Sequence, residues 1–151
     1  MHEGGSALTI AAMLKAKMTF EPHNNSAADY VRDRLSMFNA AATGRSDFYP
    51  LNIFLRGEQD EILGGLLGYV WSDWLFVSIL WVDEQLRGQG HATAMMDSAE
   101  KYARERGCHS SHLDTLSWQA RPFYERRGYE LYSTLDDYPG PHKRFFLKKK
   151  L

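Results

Sequence analysis

Arg87-Gly88-Gln89-Gly90-His91-Ala92 is the stretch of this sequence best suited to binding chemistry. Two glycines one residue apart let a ligand come close to the backbone. The helix that follows them opens with unpaired N–H groups at the positive end of its dipole. That combination attracts an anion, and a phosphate is the natural occupant. The same glycines would also serve a tight strand-to-helix connection with no ligand. A P-loop, G-x-x-x-x-G-K-[ST], is excluded because neither lysine nor serine stands where it is needed. A dinucleotide fingerprint, G-x-G-x-x-G, begins with Gly88 and Gly90 but meets Thr93 at the third glycine. Asp114 imitates its ribose-binding acid, yet too little chain follows, and an antiparallel meander precedes the motif where a doubly wound sheet should open.

Other reactive side chains form no comparable pattern. Cys108, His109 and His112 cluster, but no second group completes a four-ligand site, so no metal is expected. The single cysteine excludes an intrachain disulfide and fits a reducing compartment.

The elements that must position the turn follow from periodicity. Trp74 to Val82 is almost continuously apolar and rich in aromatic and β-branched residues, which predicts a strand buried on both faces. After the turn, Ala92, Met95, Met96, Ala99, Tyr102 and Ala103 keep the spacing of one helical face, and Gly107 follows as the stop. Before it, the pattern predicts a short strand at Met18 to Glu21 and a helix capped by Ser26, running to Ala41 and ended by Thr43-Gly44. Leu51 to Arg56 and Ile62 to Trp71 read as a hairpin continuing into Trp74 to Val82. The glycines at 64, 65 and 68 imply either a close neighbour or a bulge. After the central helix come a strand at His112 to Leu116, a short helix at Ala120 to Arg127 with Pro122 in its first turn, and strands at Tyr129 to Thr134 and around Phe145 to Leu147. The helix between Val82 and His112 makes the strands flanking it parallel. The fold class is α/β (α+β), with a mixed, mostly antiparallel sheet of about seven strands, helices on both faces and one parallel pair.

With 151 residues, the chain forms one domain, with 18–151 as its body and 1–17 as an N-terminal extension or helix. A 44% apolar and 25% charged composition is that of a water-soluble globule, and a net charge of -1 argues against nucleic acid as partner. No apolar run reaches the ~18 residues of a membrane span. No basic region precedes Ala7 to Met18 and no cleavage site follows, so the expected location is the cytoplasm. A homodimer would cover the edge strands such a sheet leaves.

Val82, the Arg87-x-x-Gly90-x-Ala92 turn, the central helix and Phe123-Tyr124-Glu125-Arg126-Arg127-Gly128-Tyr129 together resemble the GNAT superfamily of N-acetyltransferases. The superfamily's pyrophosphate turn is R/Q-x-x-G-x-G/A, and its later motif pairs an aromatic with tyrosine shortly before Gly and an aromatic. Both occur here in order, and the resemblance covers the chain from Met18 onward.

The resemblance implies that acetyl-coenzyme A binds as acetyl donor where the two parallel strands splay. Its pantetheine arm would pair with the backbone of Leu80, Trp81 and Val82, and its pyrophosphate would sit on the N–H groups of Gly88, Gln89, Gly90, His91, Ala92 and Thr93. Arg87 either supplies charge there or covers the strand end. Where relatives commonly carry Asn, seven residues before Tyr124, this chain has Ser117, a departure that still leaves a hydroxyl for the coenzyme.

Acetyl transfer to an amine needs a free amine, a stabilised oxyanion and a proton for the leaving thiolate. Tyr124 matches the superfamily's general acid, against a purely packing role such as that of Tyr129. Backbone N–H near Val82 would meet the oxyanion. Asp114 is placed to deprotonate the amine, to bind a cationic substrate or to cap the following loop; His112 and Glu84 are lesser candidates. Trp118 and Gln119 are placed to line the acceptor site. Asp136, Tyr138 and His142, in the loop between the last two strands, suit a small cationic amine or form a solvated turn. The implied activity is acetylation of a small-molecule amine: a polyamine-like, amino-sugar or antibiotic acceptor. Acetylation of a protein α-amine or lysine is the alternative, and a module that holds acyl-coenzyme A without turnover is the competing class.

Overall fold

The computed structural model describes residues 16–151, so nearly all of the expected extension at 1–17 lies outside the described residues. The element order is α1 (Asn25–Thr43), β1 (Tyr49–Arg56), β2 (Ile62–Trp71), β3 (Trp74–Val82), α2 (His91–Glu105), β4 (Ser110–Leu116), α3 (Arg121–Arg126), β5 (Glu130–Leu135) and β6 (Arg144–Lys150), with a single 3-10 turn at Glu84–Leu86. The strands form one sheet in the order β1-β2-β3-β4-β6-β5. All neighbouring pairs are antiparallel except β3 with β4.

The expected sheet is present with six strands; the strand expected at Met18 to Glu21 does not form. Met18 and Phe20 are almost fully exposed there, so no partner ladder or buried face repays the ordering of that segment. The cap of α1 also differs. Asn24, two residues before Ser26, accepts a hydrogen bond from the Ala27 N–H at 3.1 Å, and Ser26 donates to Asn24.

The meander is fixed by its turns and glycines. Ser72 and Asp73 both have positive φ (47° and 68°), the geometry of a two-residue hairpin turn that matches strand twist. A Cβ on Gly68 would lie 2.1 Å from the Phe76 carbonyl oxygen, so this glycine exists because β3 runs against it. The register also shifts between Leu67 and Gly68, so close approach and bulge coincide.

One face of the sheet carries the core. Leu66, Leu75, Leu113 and Leu147 are essentially fully buried beneath Met96, Ala99 and Ala103 of α2. The two alanines let the helix axis come near the sheet, and each large side chain buried there contributes about 1.5–3 kcal/mol. α3 packs on the same face through Phe123 and Tyr124. The other face is different. Helices were expected on both sides, but no residue of α1 is buried, and Phe54, Trp71, Ile79 and Trp81 remain half exposed on the sheet surface away from α2.

The parallel pair is short. β3 and β4 are in register only from Trp74↔Ser110 to Val77↔Leu113. Ser78 is the extra residue of a bulge against β2, with its hydroxyl donating to the Leu67 carbonyl at 2.8 Å. A bulge bends the strand that carries it. β3 therefore turns away from β4 just where their pairing ends, while β4 stays zipped to β6 through Leu116↔Arg144. The result is a V-shaped opening in the middle of the sheet.

Candidate active site

The turn between β3 and α2 lies at the mouth of this opening. Gly88 and Gly90 have φ of 75° and 87°, a conformation that side-chain-bearing residues rarely adopt, and the space above each is open. Gly90 is the N-cap of α2 and offers no side-chain cap. The first backbone N–H of the helix to find an intrahelical acceptor is that of Ala94, bonded to Gly90 O at 3.0 Å. The N–H groups of His91, Ala92 and Thr93 point out of the helix end, as an anion site requires. The Gln89 side chain turns back to the Gln85 carbonyl at 3.0 Å, so only its backbone can serve the turn. Arg87 donates from Nε to Val82 O at 3.1 Å, covering the end of β3 while its side chain borders the opening.

Two cavities meet here. One, of about 530 Å³, runs from the Gly88–Thr93 turn past Leu80 and Val82 to Phe123 and Tyr124. The other, of about 560 Å³, lies across the splayed strands and is walled by Ile79, Trp81, Asp114, Trp118 and Gln119, again reaching Tyr124. Tyr124 thus stands at the junction. Its ring is buried and packs edge-on against Phe123 and Tyr129, while no hydrogen bond ties its hydroxyl to another of the described residues. Burial, and secondarily the charge of Asp114, pushes its phenol up to about 12, so it keeps its proton at neutral pH.

Tyr129 makes the contrast. Its hydroxyl lies 2.8 Å from Ser111 Oγ and 3.4 Å from Glu100 of α2. Glu100 is itself buried and holds Arg127 at 3.2 Å and Lys149 at 2.9 Å. This cluster pins the end of α3, and with it Tyr124, to the helix that Gly90 opens.

The acceptor-side residues divide. Asp114 lies on the cavity wall with Oδ2 accepting from Arg144 Nε at 2.8 Å, and Arg144 also donates to the Tyr138 hydroxyl at 2.9 Å. Trp118 and Gln119 line the cavity, although the Gln119 side-chain oxygen accepts from Leu116 N–H at 2.9 Å and so also closes the end of β4. Ser117, Asp136, Tyr138 and His142 do not line either cavity. Ser117 accepts from Lys143 N–H and lies 3.2 Å from His142 Nδ1, His142 packs edge-on to Trp118 at 4.7 Å, and Asp136 pairs with Lys143. Through these contacts Ser117 and His142 hold the β5–β6 loop beside the end of β4. His112 sits between the rings of Trp74 and Phe76, where burial lowers its pKa and Asp114 partly offsets that. Leu86, Phe123, Ile79 and Thr115 complete the walls. Phe123 was visible as the aromatic before Tyr124; Ile79 becomes a wall only through the bulge at Ser78.

A turn of outward N–H groups, a splayed parallel pair and a protonated phenol lining both cavities thus stand together on one side of the opening. The sequence profile described as "Acetyltransferase (GNAT) family" matches residues 12–129. The chain belongs to the GNAT acetyltransferase family. As a GNAT acetyltransferase it is an acyltransferase, and the family uses acetyl-coenzyme A. Acetyltransferase Atu2258 of Agrobacterium fabrum is 37% identical over 120 residues, covering 80% of this chain and 88% of the relative. Blasticidin-S acetyltransferase of Streptomyces morookaense is 41% identical over 106 residues, covering 68% and 78%. Among solved structures, an acetyltransferase from Agrobacterium tumefaciens superposes with a TM-score of 0.84 at 33% identity, covering 91% of this GNAT chain and 100% of that one. Coverage of that extent reaches into α1, since residues 44–151 alone make up about 72% of the sequence.

Proposed function

We propose that the protein transfers the acetyl group of acetyl-coenzyme A to a primary amine of a small cationic molecule, by direct attack of the amine on the thioester. The observation that carries this reading is that Tyr124 lines both cavities. The donor supplies an activated acetyl group. The residues present fit it: N–H groups of Gly90 to Thr93 for its pyrophosphate, and for an extended arm the β4-facing edge of Leu80 to Val82, which pairs with β2 on its other side and with no strand on this one.

The chain's own groups then have separate tasks. β3 backbone N–H near Val82 faces the position where the oxyanion develops. The amine nitrogen bonds to the acetyl carbon, the carbon–sulfur bond breaks, and Tyr124 hands its proton to the leaving sulfur. The nitrogen loses its proton to water or to Asp114, and the phenolate regains a proton from solvent. Asp114, held by Arg144, is suited to orient the ammonium form before it deprotonates. Trp81 and Trp118 present aromatic surface suited to a cation. The relative named for blasticidin S supports antibiotic-like amines as the first acceptors to try.

The test is release of free coenzyme A from acetyl-coenzyme A across a panel of small amines and of peptides with free α-amines or lysines. Turnover confined to small amines, and cut at least a hundredfold in Tyr124→Phe, is the expected result. Turnover only with peptides would overturn the acceptor class, and undiminished turnover in Tyr124→Phe would overturn the acid. Binding of acetyl-coenzyme A without turnover on any amine would mark a non-catalytic module.

A further inference from the structure

α1 and the open face of the sheet are each half of a helix-on-sheet contact, yet they do not meet within the chain. Tyr30, Val31, Leu35 and Phe38 keep the spacing of one helical face, and each is more than half exposed. On the sheet, Phe54, Trp71, Ile79 and Trp81 share the surface away from α2 and are also 41–52% exposed. Isolated apolar side chains at a surface need no explanation, but a row of them along one helix face and a set on one sheet face of the same chain do. Arg34 lies among the apolar residues of α1, and an aromatic surface receives a guanidinium well.

The link between them explains why α1 does not fold back. Arg45 forms a two-pronged pair with Asp73 in the β2–β3 turn, at 2.7 Å on each arm, and also pairs with Asp47. Phe48 packs on Tyr69 at 5.1 Å, and Gly44 caps α1 with its N–H on Ala40 O at 2.8 Å. The link is thus tied to the β2–β3 hairpin at Arg45 and Phe48, which sets where α1 leaves the sheet. α1 also falls within the part of the chain aligned with the solved Agrobacterium structure.

We infer that α1 docks on the open sheet face of a second copy, which returns its own α1 in a reciprocal two-fold exchange. A contact in which helix meets sheet twice is isologous and closes at two chains. Each of these eight side chains has roughly half its surface left to cover, about 100 Å² on the 150–250 Å² scale of a large side chain, so two equivalent contacts bury on the order of 1,600 Å², the size of a standard dimer interface. Ile79 and Trp81 lie on this face and also wall the acceptor cavity, so the partner's α1 completes that wall. This last step rests on the assignment of that cavity to the acceptor; the exchange itself does not.

The test combines oligomeric state with the identity of the neighbour. The full-length chain should sediment as a dimer at micromolar concentration, and Leu35→Glu with Phe38→Glu should turn it into a folded monomer with an unchanged circular dichroism spectrum. A photo-cross-linking residue at position 38, in a mixture of nitrogen-15-labelled and unlabelled chains, should join α1 of one label to a β1–β3 peptide of the other. The double substitution should raise the acceptor KM at least fivefold while acetyl-coenzyme A binds as before. A monomeric wild type, same-label cross-links only, or cross-links confined to α1 or residues 1–15 would each overturn the exchange. A cross-linked dimer whose acceptor KM ignores the substitution would leave the exchange standing and overturn the shared wall.

Discussion

The rings of Tyr124 and Tyr129 meet edge to face with centroids 6.0 Å apart, but among the described residues only the Tyr129 hydroxyl of the two finds partners, Ser111 and Glu100. Loss of each oxygen should therefore read differently. Tyr124→Phe is expected to lower kcat by about 10²–10⁴, the range of a lost general acid, with stability nearly unchanged. Tyr129→Phe should leave kcat within a few-fold and cost about 1–2 kcal/mol, because the Ser111 and Glu100 groups lose a buried partner. Steady-state kinetics and urea unfolding on both variants check the pair.

What the sequence discloses and what it hides follow from how far each contact reaches along the chain. The geometry of the turn between β3 and α2 was legible because Gly88 and Gly90 state their backbone conformation by being glycines, and α2 because its period is local. β2 and β3 match their predicted bounds, since pattern and turn lie side by side. Met18 to Glu21 has strand composition but no partner, and pairing is a property of the fold, not of four residues. Ser117 was legible only as a hydroxyl near the site; its bonds to His142 and Lys143 depend on a loop about 25 residues on returning to β4. The cavity wall at Ile79 is invisible for the same reason, because the bulge at Ser78 is decided by register against Leu67.

Gly90 has φ of 87° with nothing near its missing side chain, so Gly90→Ala is not blocked by a clash inside the protein. The substitution should cost about 1–2 kcal/mol from the left-handed backbone alone. On the assignment of the turn to a pyrophosphate, the added methyl group also crowds the anion. The KM for acetyl-coenzyme A should then rise about tenfold or more with the acceptor KM little changed. Thermal unfolding and bisubstrate kinetics separate the two effects.

Glu100 is 3% exposed and joins α2 to Arg127 at the end of α3 and to Lys149 on β6. Glu100→Gln keeps the shape and removes the charge, leaving Lys149 without its counter-ion and Arg127 with Asp97 alone, at 2.7 Å. Breaking a buried pair in this way is expected to cost about 3 kcal/mol. Because the same contact fixes α3, kcat should fall before the acetyl-coenzyme A KM rises. Guanidinium unfolding at neutral pH, alongside kinetics below the transition, measures both.

The pH dependence has a defined sign. Burial favours the neutral phenol of Tyr124 and raises its pKa from the ordinary value to about 12. A group whose folded pKa is raised stabilises the fold fully below its unfolded pKa, near 10, and that contribution disappears as pH rises through about 12. Through the neutral and mildly alkaline range Tyr124 therefore remains a proton donor. kcat/KM should rise with pH as the acceptor amine loses its proton and then hold level to about pH 10, with no descending limb from the enzyme's acid. Profiles with two amines of different basicity should shift the rising limb with the amine and leave the plateau in place. A descending limb near neutral pH that disappears in Tyr124→Phe would show instead that this phenol titrates far below the value its burial imposes.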